Sequence, residues 1–270
     1  MTSDDRDHST AVANDEPERT RSRSSNAPKK KHLPLWQETI LLLGVALLLA
    51  IVIKALFVQA FYIPSESMEP GLVKNDRILV EKTSYWFGGT PQRGDVVVFK
   101  DPGGWLSEEE DAGPSNPVGK LMAKIGLYPS GGHLVKRVIG VAGDTITCCD
   151  EQGRLMVNGQ PIDENDFIRP QTGKKGTGKC DGPMPTGQMS CHWSAGPVPA
   201  GMLFVMGDNR SDSADSSEHL CHPNASKCDP NDAYVPVNDV VGKVFALAWP
   251  IGRAHFVHTP DAFDDVPDPS

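Results

Sequence analysis

Ser65 and Ser67 flank Glu66 in the stretch FYIPSESMEP, residues 61–70. A serine hydroxyl attacks a carbonyl only after a base takes its proton, so chemistry here needs a partner. Histidine is the usual one, but none of the eight in the chain has a strong local setting. His8 and His32 precede the long apolar run, His192, His219 and His222 stand in loops beside cysteines, and His255 and His258 lie near the tail. His133, at the head of a β-type run, reads as a surface histidine. Lys136 offers another route. It interrupts the apolar run LVKRVIGV, residues 134–141, where burial would disfavour the charged amine and lower its pKa. A neutral amine can serve as a general base. An outward-facing lysine on a half-exposed strand gives the same pattern, so the spacing alone does not decide.

A third stretch, MGDNRSDSADS at residues 206–216, is dense in hydroxyls, amides and carboxylates. Oxygens spaced this way also suit a hard cation, although the glycine and closing glutamate of an EF-hand loop are missing. A metal site from His219, Cys221, His222 and Cys228 fits no zinc spacing well. No metal or cofactor is expected.

These residues must be held by something. From Ile40 to Ile53 every residue is apolar or Gly, and past Lys54 the pattern resumes through Val58. Such a run gives a helix of about 28 Å at ~1.5 Å per residue, close to the hydrocarbon thickness of a bilayer. Lys54 stands where a long side chain can snorkel to the head groups. Val58-Gln59-Ala60 resembles a small-residue cleavage site, but the run is long for a removable signal of about 7–15 apolar residues, so a retained anchor over 35–60 is expected. Arg19, Arg21, Arg23, Lys29, Lys30 and Lys31 precede it without an acid among them. By the positive-inside rule the N-terminus is cytoplasmic and the rest lies outside a single span of the plasma membrane. Residues 1–34 are too polar to bury a core and read as a disordered tail.

The exported part carries 18 basic and 28 acidic residues, a balance that argues against a nucleic-acid partner. All six cysteines fall there, which suggests disulfides in an oxidising compartment. Cys221 with Cys228 is the favoured pair, joined by a short loop rich in Pro, Asn and Ser; the partners of Cys148, Cys149, Cys180 and Cys191 stay open. Short β-type runs occur at 77–81, 95–100, 134–141, 145–147, 202–206 and 241–249, with an Asn158-Gly159 hairpin signal between 155–157 and 160–162. No long amphipathic helical pattern competes with them. The expected fold is therefore mainly β: an external antiparallel sheet domain over 61–260 behind one N-terminal transmembrane helix. The loops 103–116 and 170–199 are long, and the acidic tail 261–270, with two prolines, reads as frayed.

Together the segments PSESMEP (64–70), RGDVVVF (93–99), KRVIG (136–140) with Gly143-Asp144, and GDNR (207–210) through SADS (213–216) resemble, in order, those of bacterial type I signal peptidase. That family consists of membrane-anchored serine proteases with a Ser/Lys dyad that remove signal peptides from exported preproteins. The resemblance spans about residues 35–252. It implies Ser67 as nucleophile, Lys136 as general base, and an oxyanion hole from the Ser65 hydroxyl and the Ser67 N–H. It further implies that Ser213 orients the lysine amine and that Asp208 pairs with Arg137. Asp215 is a supporting carboxylate, and since Ser217 stands where the family often has Arg, its salt bridge is not expected here. The implied partners are preprotein signal peptides and the bilayer, for a monomer that cuts after small residues. A cytoplasmic self-cleaving repressor-type protease and a non-enzymatic anchored binding protein are the competing readings; the anchor and the cysteines speak against the former.

Overall fold

A computed structural model describes residues 34–106, 116–119, 131–169, 193–221 and 228–269, the side chains of 53–56 and 87 excepted. It divides into two units, Met1–Val45 and Ala46–Ser270. The described part of the first is the start of helix α1, Leu35–Phe57. Its apolar side chains are exposed from Leu35 to Val52, and it alone among the described helices is long and apolar enough to cross a membrane. The expected anchor extended to residue 60, but the helix ends at Phe57, where β1 (Val58–Tyr62) begins. Tertiary pairing overrides the apolar run. Residues 58–62 bond to β2 (Arg77–Glu81) in register from Val58 opposite Glu81 to Tyr62 opposite Arg77, and Lys82 N–H donates to the Phe57 carbonyl at 3.1 Å.

The second unit is built on antiparallel sheets. The larger continues with β3 (Val96–Lys100), β4 (His133–Gly140), β9 (Met202–Met206), β10 (Val235–Pro236), β11 (Val240–Trp249) and β12 (His255–Phe256). Its order is β1-β2-β11-β3-β4-β9-β10, with β12 on β11. The smaller contains β5 (Ile146–Cys148), β6 (Met156–Val157), β7 (Gln160–Pro161) and β8 (Trp193–Ala195), in the order β7-β6-β5-β8.

β3 shows why its sequence lacks alternation. Val96 and Val98 pack in a core with Phe61, Ile63, Met68, Leu72, Ile78 and Val80, whereas Val97 and Phe99 pack in another with Leu134, Val138, Leu203 and Val205. A strand covered on both faces reads as a continuous apolar run. The Asn158-Gly159 signal is realised as a tight hairpin between β6 and β7, with φ of 51° and 80°. Positive φ at both central residues is what a type I′ turn requires, and these two residue types tolerate it.

Two further expectations fail. Trp193–Ala195 falls within the stretch read as loop, but pairs with β5 as β8; a three-residue strand flanked by Gly and Pro has too little period to be legible. Tail residues 261–269 are not frayed. Phe263 and Val266 join a core with Ile139, Phe204 and Tyr234, and Asp261–Phe263 forms a 3-10 turn. Acidic neighbours hid two widely spaced apolar anchors. All but the last residue of the expected tail 1–34 and most of the loops 103–116 and 170–199, with Cys180 and Cys191, lie outside the described residues.

Candidate active site

Between β1 and β2 the chain makes an excursion that carries both serines. Its neck is closed by Ile63 N–H to the Asp76 carbonyl and Asn75 N–H to the Ile63 carbonyl, each 2.9 Å. Met68 and Leu72 plug it into the core beneath. Asp76 accepts from Val73 N–H at 2.8 Å and from Arg253, whose other nitrogen donates to the Gly71 carbonyl at 3.1 Å. A loop tied at its neck and plugged by two apolar side chains has little freedom left, so both serines are held in place.

The loop then meets β4. Ser65, Ser67, Ile63, Pro64 and Met68 line one cleft together with His133, Leu134, Val135, Lys136 and Leu106. The two hydroxyl oxygens of Ser65 and Ser67 are 3.1 Å apart. Ser67 and Lys136 are both buried, at 7% and 3% exposure. Lys136 lies opposite Val97 in the sheet, and the next residue, Arg137, lies opposite Met206 of β9. His133, expected at the surface, is instead half-buried in this cleft, its ring 5.5 Å from that of Phe61 and its Nδ1 3.0 Å from the Gly131 carbonyl. A strand-head position did not reveal this, because the wall opposite comes from a distant segment.

The loop after β9 grips the serine loop from behind. Asn209 N–H donates to the Ser67 carbonyl at 3.0 Å and its side-chain amide donates to the Glu66 carbonyl at 3.0 Å. Asp208 takes a bidentate pair from Arg137, at 2.8 and 2.7 Å, and Arg137 also donates to the Gly94 carbonyl at 2.8 Å. This joins the end of β9 to the residue after Lys136. Ser213 donates to Asp215 at 2.6 Å, and the same carboxylate oxygen accepts from Gly207 N–H at 2.9 Å. The other oxygen accepts from Ser217 N–H and Oγ at 3.0 and 2.7 Å, so where an arginine was missed a serine holds the carboxylate. The carboxylates of Asp208 and Asp215 are thus committed to protein donors, which disfavours a cation held by them.

Four residues of this assembly were given no role by the sequence reading, although Gly207, Asn209 and Arg210 belong to its GDNR segment. Gly207 has no space for a side chain: a Cβ there would lie 2.3 Å from Ser213 Oγ and 2.5 Å from the Ser67 carbonyl. Asn209 had no part in the site beyond its place in the polar GDNR segment, yet it holds the Ser67 and Glu66 carbonyls. Glu164 and Arg210 form a buried bidentate pair at 2.5 and 2.7 Å. Burial alone would lower the Arg210 pKa, but the adjacent Glu164 carboxylate outweighs it and raises it. Nothing in the sequence spacing could join positions 46 residues apart.

Further from the cleft, Arg93 pairs with Asp144 at 2.7 and 2.6 Å. Burial by itself would raise the Asp144 pKa. Hydrogen bonds from Arg93, the Val141 N–H and Asn158 outweigh it and hold the carboxyl below its ordinary value. Cys221 is bonded to Cys228, as expected, and Cys148 to its neighbour Cys149. Sulfurs joined in a disulfide are not thiolate ligands, which removes the metal alternative built on Cys221 and Cys228.

A serine and a buried lysine amine thus share one cleft of a β domain, and the helix that precedes the domain is long and apolar enough to cross a membrane. Residues 36–249 match the family described as signal peptidase, peptidase S26, and the chain belongs to that family. It is 38% identical over 242 residues to a probable signal peptidase I of Mycobacterium leprae, covering 83% of this chain and 79% of the relative. Signal peptidase I of Mycobacterium tuberculosis strain H37Rv is 35% identical over 244 residues, covering 87% and 79%. That of Leptolyngbya laminosa is 32% identical over 226 residues, covering 84% and 86%.

Proposed function

We propose that this protein is a single-pass membrane endopeptidase that removes signal peptides from exported preproteins by a Ser67/Lys136 dyad. The observation that carries the reading is the shared cleft of Ser67 and Lys136, with the Ser65 hydroxyl 3.1 Å from that of Ser67. Lys136 is buried on the same cleft, and in its neutral form its amine can take the Ser67 proton. The Ser67 Oγ then bonds to the carbonyl carbon of the scissile peptide. Lys136 returns the proton to the amine as the C–N bond breaks, and water hydrolyses the acyl-enzyme. The Ser65 hydroxyl and the Ser67 N–H stabilise the oxyanion, a donor of this kind being worth about 100-fold or more in rate.

Ser213 orients the lysine amine, itself held by Asp215. Arg137 and Asp208 fix β4 against the loop after β9. The resemblance implies that substrates carry small side chains one and three residues before the cut. The basic residues before α1 support a cytoplasmic N-terminus and an external catalytic domain. A substrate whose own apolar segment is still in the bilayer then meets a peptidase tethered to the same membrane.

Cleavage of a synthetic preprotein tests the dyad. Ser67→Ala, Lys136→Ala and Lys136→Arg are each expected to abolish it while circular dichroism stays that of the parent; Arg keeps the charge but does not deprotonate. Full activity in any of the three sinks the assignment.

A further inference from the structure

Leu106 lines the same cleft as Ser65, Ser67, His133 and Lys136, yet it belongs to none of the motif segments. It comes from the chain after β3, and its backbone is firmly held. Asp101 accepts from the N–H groups of Gly103, Trp105 and Leu106 at 3.0, 3.1 and 3.3 Å. Its own N–H donates to the Gly132 carbonyl, just before β4, at 3.0 Å. Trp105 is the anchor of the turn. Its ring stands edge-on to Phe99 at 6.0 Å and stacks on His219 at 4.5 Å with the planes 8° apart. The indole N–H donates to the Asp232 carbonyl at 3.1 Å.

His219 ties this turn to the loop that supports Ser67. Its backbone N–H donates to the Asp215 carbonyl at 3.3 Å, and its ring Nδ1 lies 2.8 Å from the same oxygen. The Asp215 carboxylate in turn holds Ser213 and Gly207. Contacts therefore run without a break from the Asp215 turn through His219 and Trp105 to a leucine at the cleft wall. An apolar side chain moves no proton and binds no oxyanion, so what a braced leucine contributes at that wall is shape.

We propose that Leu106 is a specificity-determining residue, limiting the size of the substrate side chain the cleft accepts, with Trp105 and His219 as the positioning residues that hold it. The inference rests on the peptidase reading of the cleft. Full-length enzyme in detergent is assayed on peptides in which Ala is replaced by Leu at each of the four positions before the cut. Leu106→Ala is expected to raise kcat/KM for the Leu peptide relative to the Ala peptide at one of these positions by about tenfold or more, since even one methylene in a fitted pocket is worth about that much. Leu106→Phe is expected to shift the ratio the other way, which keeps the test valid should the first variant fold poorly. His219→Phe, which retains a stacking ring, is expected to keep the parent ratio, whereas His219→Ala shifts it as Leu106→Ala does. Unchanged ratios in both Leu106 variants, with Ser67-dependent cleavage intact, overturn the proposal. A uniform loss on every peptide in His219→Ala overturns the positioning role. Cleavage that persists in Ser67→Ala instead overturns the underlying peptidase reading.

Discussion

Gly207 is the residue on which the site closes, because any side chain there meets Ser213 Oγ and the Ser67 carbonyl. Both neighbours are themselves tied, Ser213 to Asp215 and the Ser67 carbonyl to Asn209, so neither gives way without moving Ser67. Gly207→Ala is expected to lower kcat/KM on the order of 100-fold, the usual cost of a misplacement of about 1 Å at a reacting centre. Overpacking of this kind also destabilises by roughly 1–3 kcal/mol; steady-state kinetics beside a urea titration separates the two. Asp208 gives a second prediction. Its bidentate pair with Arg137 is buried, both side chains being at most 6% exposed, and removing one partner leaves the other charge unsatisfied. Asp208→Ala is expected to cost about 3–5 kcal/mol by denaturant unfolding. A loss below about 1 kcal/mol would show that water reaches the guanidinium.

Among the elements, the C-terminal segment is the one whose role was misjudged from its composition. Phe263 is buried against the core that includes Phe204 and Tyr234, and the Val266 and Pro267 carbonyls accept from Arg93. Phe263→Ala is expected to cost about 3–5 kcal/mol, readable as a lower urea midpoint; an unchanged midpoint means the segment does not bear on the core. The same region predicts a pH dependence. Folded Asp144 has a pKa below its ordinary value of 3.8, so it binds its proton less readily than the unfolded chain does. Its contribution is complete above about pH 4, begins to fade as the pH falls through that value, and is lost below the depressed folded pKa. Asp144→Asn is expected to flatten the fall in stability between about pH 4 and pH 2, measured by urea unfolding at each pH. An identical slope in the variant would assign acid loss to other carboxylates.

At the scale of the molecule the question is which side of the membrane the β domain occupies. The basic residues before α1 predict an external domain. Protease added to intact spheroplasts is expected to digest epitopes in the β domain and to spare one attached before residue 19. The opposite pattern would place the catalytic domain in the cytoplasm.

The sequence by itself determined that an apolar helix precedes a mainly antiparallel β domain, because a run of that length and strands of period two or continuous β-branched composition are local signals. Its ordered motifs carried the family resemblance from which the roles proposed for Ser67, Lys136, Ser65, Ser213 and Asp208 come, and its short loop favoured the pairing of Cys221 with Cys228 that the structure shows. Only the tertiary structure decided where α1 stops, since Val58–Tyr62 is as apolar as a helix end yet pairs with β2. Only it brought His133 and Leu106 to the wall of the cleft, made Gly207 obligatory, joined Glu164 to Arg210, and buried Phe263 beneath an acidic surface. Each of these depends on a contact between segments far apart in the chain. Such contacts leave no local period or composition to read, because their free energy arises only when the sheets bring the segments together.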